Sequence, residues 1–306
     1  MKKVLIFYGP TAAGKSAFVE RLAQDLPIEI INIDVGQMYT PFTIGTAKPA
    51  WRTSAIPHHL FDCINTPSHY SVMAYRATAK KIVADIFKRG AIPAFVGGSS
   101  FYVKSLLFPP REQPVLVSNA SMQIAKDVSI EQTWQTLHAI DPVRASAIAP
   151  NDTYRIRRAL ALWQQGILPS LMAPVYDPID SYNLFFITRP RNELYATINA
   201  RVVAMMHAGW IEEVRALLGT EWQAFIQTKK IIGYDTIMHY LMQDETHAEM
   251  SYNSLIDIIA QKTRTYAKRQ DLFWRHFKKM VDKYAQSLDA SHEYAIHEYV
   301  LTPNTI

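Results

Sequence analysis

Short apolar runs alternate with helix-like segments over the first hundred residues of the chain. The runs cover residues 4–8, 29–33 and 92–96, and each is rich in β-branched side chains and bounded by Gly, Pro or Asp. Apolar positions with helical spacing lie between them, from about 15 to 26 and from 72 to 88. Such runs are typical of strands buried on both faces of a parallel sheet, although a buried helix segment is the alternative for any single run. The alternation predicts a doubly wound α/β core.

Residues beyond Pro109-Pro110 show a different pattern, in which prolines punctuate long helix-compatible stretches. This pattern predicts a helical insertion at 113–180, into a core whose first part is 1–112 and which 181–306 completes with basic C-terminal helices. The run YNLFFIT predicts a strand that rejoins the sheet. The helix-compatible stretches are 120–140, 152–165, 193–218 and 251–284, and the strand-like run is 182–188.

The segment GPTAAGKS follows the first apolar run and fits the pattern G-x-x-x-x-G-K-[ST]. A Gly-rich turn between strand and helix lets backbone N–H groups converge on phosphate oxygens, and the helix N-terminus adds its positive dipole end. The segment predicts a site for a di- or triphosphate, with a plain strand–turn–helix corner as the structural alternative. It does not tell whether the phosphates are transferred, hydrolysed or expelled. The expected phosphate contacts are Gly9, Thr11, Ala12, Ala13, Gly14, Lys15 and Ser16, with the Ser16 hydroxyl as a ligand for Mg²⁺.

Asp34 ends the second run, at the sheet edge where open α/β folds place their ligands. A carboxylate there could hold Mg²⁺ through water or accept a proton from a nucleophile, and the structural alternative is a cap on a helix or turn. The segment GGSSFY follows the third run, so the hydroxyls of Ser99 and Ser100 are expected at the same edge. These residues predict a polar site beside the phosphate loop.

The histidine pair His58-His59 invites a metal-site interpretation. Adjacent histidines point in different directions, however, and the chain offers no HExxH motif or cysteine partner. A pair of loop or core histidines with satisfied hydrogen bonds is therefore favoured. The segment GTAKP at residues 45–49 has no core-forming pattern and predicts a loop.

Composition and charge narrow the class of protein. The chain has 306 residues, of which 49% are hydrophobic, so it can bury a full core. A single cysteine, Cys63, allows no internal disulfide, which favours a reducing compartment and predicts a cytoplasmic protein. No apolar run approaches membrane-spanning length. The net charge of +5 permits a nucleic-acid partner without requiring one.

Basic residues concentrate on the last long helical pattern, where they outnumber acids and alternate with aromatic side chains. Such a helix is typical of a surface that contacts RNA phosphates and stacks on bases, while the alternative is a solvated face whose aromatics serve the core. A second basic cluster in the insertion favours RNA. The residues are Lys262, Arg264, Lys268, Arg269, Arg275, Lys278, Lys279 and Lys283, with Tyr266, Phe273 and Trp274, and the second cluster is Arg155, Arg157 and Arg158.

Taken in order, these motifs resemble those of the tRNA dimethylallyltransferases, also called tRNA isopentenyltransferases. The resemblance spans about nine tenths of the chain, and its most specific parts are IGTAKP and TRTYAKRQ. The shared motifs are GPTAAGKS, Asp34 with Gln37 and Tyr39, IGTAKP, PHH, GGSSFY, Asn151-Asp152 with RIRRAL, IGY at 232–234 and TRTYAKRQ at 263–270.

The resemblance implies a P-loop α/β core whose helical insertion clasps the anticodon stem-loop of tRNA. It implies that the adenosine 3′ of the anticodon attacks dimethylallyl diphosphate through its exocyclic amine and expels diphosphate, with Mg²⁺ as cofactor. Asp34 would take the amine proton, while Ser99 and Arg201 would contact the diphosphate. A monomer is expected, without a membrane partner. The implied tRNA contacts are Gln37, Tyr39, Lys48, His58, Arg155, Arg158, Arg264, Lys268, Arg269 and Gln270.

The sequence departs from the family pattern at several positions, and three other functions stay open. The departures are Val35, Gly36, Ala74, Ala161, Ile167 and Thr197, the last in place of an arginine. Every charged group that the chemistry needs is present, so an active enzyme is expected. The alternatives are a small-molecule kinase, an adenylate isopentenyltransferase and a non-catalytic RNA-binding NTPase.

Overall fold

A parallel sheet forms the centre of the computed structural model, which describes residues 2–110, 130–172, 174–243, 250–286 and 293–302. In chain order its strands are Val4–Tyr8 (β1), Ile28–Asn32 (β2), His58–His59 (β3), Ile92–Gly97 (β4), Tyr182–Thr188 (β5) and Tyr294–Val300 (β6). Their spatial order is β3-β2-β4-β1-β5-β6, and each neighbouring pair is parallel. The carboxyl ends of β1, β2 and β4 therefore meet at one edge of the sheet.

Helices cover both faces of this sheet. Phe7 packs with Val19 of the first helix on one face, while Ile6 and Tyr8 pack with helices of the other face. Burial on both faces explains why β1, β2 and β4 are nearly continuous apolar runs. The helices are Lys15–Leu22 (α1), Val35–Met38 (α2), Val72–Lys88 (α3), Ser100–Leu107 (α4), Ile130–Ile140 (α5), Pro142–Ser146 (α6), Thr153–Trp163 (α7), Arg191–His207 (α8), Trp210–Arg215 (α9), Glu221–Lys229 (α10), Tyr234–Met242 (α11) and Tyr252–Ala285 (α12).

The predicted α/β class is confirmed, and the four apolar runs are strands to within one residue. Two strands were not predicted, because β3 has only two residues and β6 lies half-exposed at the sheet edge. The helix predicted at 193–218 is divided at Gly209, whose φ of 97° ends α8 and begins α9. Part of the helix predicted at 120–140 lies outside the described residues.

The chain divides into two compact units, one formed by residues up to 109 and from 176 onward, the other by 110–175. The smaller unit contains α5, α6 and α7, which pack around an apolar cluster. Asp141 stabilises the start of α6, because its carboxylate accepts hydrogen bonds from the backbone N–H groups of Arg144 and Ser170. No described helix has both the length and the apolar character to cross a membrane.

Arg76 on α3 connects the two chain segments of the larger unit between which the insertion lies. Its guanidinium is buried and donates to the carbonyls of Ser105 and Leu106 at 2.5 and 2.8 Å, and to the carbonyl and carboxylate of Asp177 at 2.5 and 2.7 Å. These contacts fix the end of α4 against the returning chain. The arginine therefore supports the larger unit at the base of the insertion.

Replacing Arg76 by methionine is expected to lower the free energy of unfolding by about 3 kcal/mol, because the buried carbonyls of Ser105 and Leu106 and the carbonyl of Asp177 lose their donor. Urea denaturation followed by fluorescence measures the change. Lys80→Met is the control, since Lys80 is half-exposed and lies 3.7 Å from the same carboxylate, a pair expected to contribute less than about 1 kcal/mol. Equal losses in the two variants would contradict this role.

Candidate active site

The phosphate loop joins β1 to α1 and is held in one conformation by its glycines. Gly14 begins α1 with φ 96°, a left-handed conformation that costs glycine little. Gly9 lies against β5 so closely that a Cβ would come within 2.0 Å of the Ile187 carbonyl oxygen. Side chains at either position would displace the loop. The sequence pattern and the observed backbone therefore agree on a tight turn at the carboxyl end of β1.

Lys15 folds back onto this loop. Its Nζ donates to the carbonyls of Gly9 and Pro10 at 3.0 and 2.7 Å. Desolvation and the nearby charge of Arg201 lower the pKa of Lys15 to about 7, and the Asp34 carboxylate opposes this shift. A bound anion would favour the protonated amine, so the charge of Lys15 is coupled to occupancy of the loop.

We expect the Lys15 side chain to titrate with a midpoint near pH 7 in the free protein and at a clearly higher pH with saturating inorganic diphosphate, because an adjacent anion favours the ammonium form. The ¹³Cε chemical shift of labelled lysine measures both midpoints, and the spectrum of Lys15→Arg assigns the resonance. A midpoint near 10.5 without ligand would contradict the desolvated position.

Asp34 is fixed at the carboxyl end of β2 by its neighbour Asn32. The Asn32 side chain accepts from the Asp34 backbone N–H at 2.7 Å and donates to its carbonyl at 2.9 Å. One carboxylate oxygen of Asp34 accepts from Gly36 N–H at 3.1 Å and caps α2, so the structural alternative of a capping role is also realised. The other oxygen has no hydrogen bond to any described residue. One oxygen is therefore fixed, and one is available to a ligand.

Burial raises the pKa of Asp34, while the bond from Gly36 and the charges of Lys15 and Arg201 act in the opposite direction. Arg201, on α8, makes no hydrogen bond or salt bridge with the described residues, and desolvation lowers its pKa. A desolvated cation without a partner is costly unless an anion binds it. Arg201 and Lys15 thus form a cationic pair beside one carboxylate.

Ser99 and Tyr266 lie together at the carboxyl end of β4. Ser99 is buried, and its hydroxyl accepts from Val35 N–H at 3.3 Å. The Tyr266 hydroxyl donates to the Gly98 carbonyl at 3.2 Å, and its pKa is raised by burial and by the charge of Asp34. Sequence reasoning placed Tyr266 among RNA-stacking aromatics and missed this position.

Gln270 lies beneath the phosphate loop, where only 1% of its surface is exposed. Its side-chain oxygen accepts from Thr11 N–H at 2.8 Å, and its amide donates to the Gly98 carbonyl at 2.7 Å. A Cβ on Gly98 would come within 2.2 Å of this amide, so a side chain there would displace the Gln270 amide. The expected RNA contact of Gln270 is therefore corrected: its polar groups connect the phosphate loop to the loop after β4.

The other expected RNA contacts fall into three groups. The first group, Tyr39 and Lys48, has buried side-chain polar groups. The Tyr39 hydroxyl donates to the Ser68 carbonyl, and the Lys48 amine contacts Asp62 and two backbone carbonyls. Neither side chain is therefore placed to contact RNA in this conformation. The second group, Gln37 and His58, lines a cavity. The third group is basic: Arg155 and Arg158 are exposed on α7 and Lys268 and Arg269 on α12, while Arg264 donates to Asn199.

The histidine pair forms strand β3. Nδ1 of His58 lies 2.6 Å from the Ile56 carbonyl oxygen, and Nε2 of His59 lies 2.7 Å from the Glu29 carboxylate. Each ring thus has a hydrogen-bond partner in the protein. Within the described ranges, no group of three or more His, Cys, Asp or Glu side chains is placed to hold a metal ion.

The phosphate loop, Asp34 and Arg201 line one cavity of about 700 Å³ in the larger unit. Its wall includes the apolar side chains of Ile30, Phe61 and Val96. The cavity therefore combines a cationic, phosphate-binding part with an apolar part. Further lining residues are Thr46, Ala47 and Pro49 from the GTAKP loop, and Arg189 and Thr197.

Glu213 on α9 holds the GTAKP loop in this wall. Its carboxylate accepts from the N–H groups of Ile44 and Gly45 at 2.7 and 3.3 Å and from the Tyr234 hydroxyl at 2.5 Å. The Trp210 ring packs on the same loop, 2.0 Å from where a Cβ of Gly45 would lie. The segment IGTAKP is thus an ordered wall of the site.

A phosphate loop on a parallel sheet, with a carboxylate and two cations around one cavity, defines a P-loop protein that binds a phosphorylated ligand. The sequence model of one family, described as IPP transferase, matches residues 37–277. The chain therefore belongs to the IPP transferase family.

Relatives with curated names support this assignment over nearly the full chain. The tRNA dimethylallyltransferase of Exiguobacterium sp. is 35% identical, over 90% of this chain and 89% of that protein. The tRNA dimethylallyltransferase of Thermotoga petrophila is 31% identical, over 91% of each chain.

Solved structures agree with the fold and the family. A eukaryotic dimethylallyltransferase acting on tRNA superposes with a TM-score of 0.71 at 25% identity, over 88% of this chain and 69% of that one. The tRNA isopentenylpyrophosphate transferase of Bacillus halodurans superposes with a TM-score of 0.60 at 26% identity, over 97% of this chain and 90% of that one. The resemblance stated from the motifs is confirmed.

Proposed function

We propose that this protein is a tRNA dimethylallyltransferase, which transfers the dimethylallyl group of dimethylallyl diphosphate to the exocyclic amine of the adenosine 3′ of the tRNA anticodon. One observation carries the assignment of roles: Asp34 presents an unbonded carboxylate oxygen in the cavity that Lys15 and Arg201 also line. The names of the relatives support the activity. The roles of individual residues are inferred from their geometry.

The cationic part of the cavity binds the diphosphate. The phosphate-loop N–H groups, Lys15, Arg201 and the Ser99 hydroxyl stabilise the charge that develops as the carbon–oxygen bond breaks, and such stabilisation acts where charge appears in the transition state. The apolar side chains of Ile30 and Phe61 accept the dimethylallyl group. The main contribution of these residues to the reaction is thus to stabilise the negative charge on the departing diphosphate.

The adenine amine attacks the allylic carbon as the bond from that carbon to the diphosphate oxygen breaks. The electron pair of the broken bond leaves with the diphosphate, and the nitrogen gives up one proton. The free carboxylate oxygen of Asp34 accepts this proton, since the amine becomes acidic only as the new bond forms. The products are prenylated adenosine, diphosphate and protonated Asp34, which then releases its proton to water.

Mg²⁺ fits the donors that this site offers. The Ser16 hydroxyl is exposed and lines the cavity, and Mg²⁺ is commonly held by one or two protein oxygens together with substrate phosphates and water. Ser16 would hold the ion with the diphosphate, and the ion would neutralise phosphate charge. Asp34 then remains free for the proton.

The tRNA binds through the exposed basic residues of α7 and α12, Arg155, Arg158, Lys268 and Arg269, which would contact phosphates. The target adenine must leave its stack to reach a cavity of this kind. A monomeric protein that acts in the cytoplasm remains the prediction from the sequence.

The test is to incubate the protein with unmodified tRNA and labelled dimethylallyl diphosphate, then digest the RNA and identify the labelled nucleoside. Prenylated adenosine and released diphosphate are expected. Phosphoryl transfer from ATP would indicate the kinase alternative, and equal turnover with free adenylate would indicate the adenylate transferase. Absence of any prenylated nucleoside would contradict the proposal.

A further inference from the structure

Arg189 is a cation of the cavity that no motif predicted. It is the first residue after β5, which lies beside β1, so its backbone is next to the strand that carries the phosphate loop. Its Nε donates to the carbonyl of Ala13 in that loop at 3.2 Å, and the side chain lines the same cavity as Lys15 and Arg201. The arginine is therefore attached to the phosphate loop itself.

The remaining donors of Arg189 are unused. The residue is half-buried, and apart from the bond to Ala13 its guanidinium makes no hydrogen bond or salt bridge with the described part of the chain. The acids that line the cavity, Asp34 and Glu20, are not paired with it. A partly desolvated guanidinium with four free N–H donors, from its two terminal nitrogens, is suited to a phosphate, which it can bind with two parallel hydrogen bonds.

Nearby residues leave a need for this charge. Lys15 folds back and donates to the carbonyls of Gly9 and Pro10, so part of its hydrogen-bonding capacity is used within the protein. Thr197 lines the cavity one turn before Arg201, but it is neutral and its hydroxyl donates to the Glu193 carbonyl. An arginine, in contrast, stays charged at every physiological pH.

We propose that Arg189 is a second arginine that binds the diphosphate, acting with Arg201 to hold the substrate and to stabilise the departing group. The inference rests on the proposed function. Because its Nε donates to the Ala13 carbonyl, its guanidinium lies beside the phosphate loop. Arg189 thus adds a permanent charge, with free donors, beside the phosphate loop.

The test compares wild type with Arg189→Ala and Arg189→Lys in two measurements. Isothermal titration is expected to show inorganic diphosphate binding about 10-fold or more weaker in Arg189→Ala, as for loss of a charge-assisted bidentate contact, with partial recovery in Arg189→Lys. Steady-state kinetics are expected to show kcat/KM for dimethylallyl diphosphate reduced by about 30-fold or more, with KM for tRNA unchanged. Arg21→Ala, which removes an exposed charge at the far end of α1, is the control and should match wild type in both.

Two other outcomes are informative. If Arg189→Ala binds diphosphate like wild type and only unfolds at a lower temperature, then Arg189 merely braces the Ala13 carbonyl and the inference is wrong. If wild type forms no prenylated adenosine, the proposed function fails, whereas the diphosphate titration still decides the role of Arg189. Retained binding in Arg189→Lys with lost binding in Arg189→Ala supports a contact made by charge.

Discussion

Asp34→Asn is expected to lower kcat with tRNA by about 100-fold or more, because the amide cannot accept the proton that the adenine amine releases. The substitution keeps the shape of the side chain, and the amide oxygen can still accept from Gly36 and cap α2. Affinity for tRNA should therefore stay close to that of wild type. Steady-state kinetics and filter binding on the same preparation separate the two quantities.

Two further measurements test whether Asp34 acts as a proton acceptor. Wild-type kcat should fall as the pH drops through the pKa of Asp34, which burial places above the usual range of an aspartate, and this dependence should disappear in the variant. Diphosphate should bind the variant as tightly as wild type or more tightly, because one negative charge beside Lys15 and Arg201 is gone.

Glu20→Gln is the matched control, because Glu20 is an exposed acid that lines the same cavity, and little change is expected in this variant. Wild-type turnover in Asp34→Asn would contradict the role of Asp34 as the proton acceptor.

The strands of the core could be predicted because burial on both faces forces an apolar side chain at nearly every position. Strand β2 is buried along its whole length and was found to within one residue. Strand β3 gives no such signal, since it is a histidine pair whose backbone pairs with Ile30 and Ile31. Strand β6 lies at the edge with half-exposed residues, so its pattern does not distinguish it from a loop.

The sequence predicts the part of the cavity that residues after the carboxyl ends of the strands form. Lys15, Asp34 and Ser99 follow β1, β2 and β4, and these strands are neighbours, so their carboxyl ends converge. Arg189 follows β5 in the same way and was missed because no motif marks it. A residue immediately after a buried parallel strand is a candidate on topology alone.

Helix α12 shows why a basic helix is difficult to interpret from charge. Its buried residues include Ala267, Gln270 and Trp274, at the spacing of one helix face, so Gln270 occupies a polar position within an apolar stripe. That position predicts a buried glutamine with protein partners rather than a surface contact. Lys268 and Arg269 lie off this stripe and are exposed. One helix thus presents charge to solvent and supports the phosphate loop from its other face.

Gln270→Ala is accordingly expected to reduce kcat by about 100-fold, since displacing a catalytic loop by about 1 Å can have an effect of that size. The change removes the acceptor of Thr11 N–H and a donor to the Gly98 carbonyl, which connect the phosphate loop to the loop that carries Ser99. Inorganic diphosphate should bind more weakly, while KM for tRNA stays near wild type. Rapid-quench kinetics and isothermal titration measure the two effects.

Lys268→Ala and Arg269→Ala are the matched comparison, because these neighbours of Gln270 are exposed on the same helix. Each should raise KM for tRNA with kcat nearly unchanged, and should reduce the salt dependence of tRNA binding, as expected when a phosphate contact is lost. If Gln270→Ala instead raised only KM for tRNA, the glutamine would act at the RNA surface. A fall in kcat with unchanged tRNA affinity would separate the two faces of α12, one supporting the chemistry and the other binding the nucleic acid.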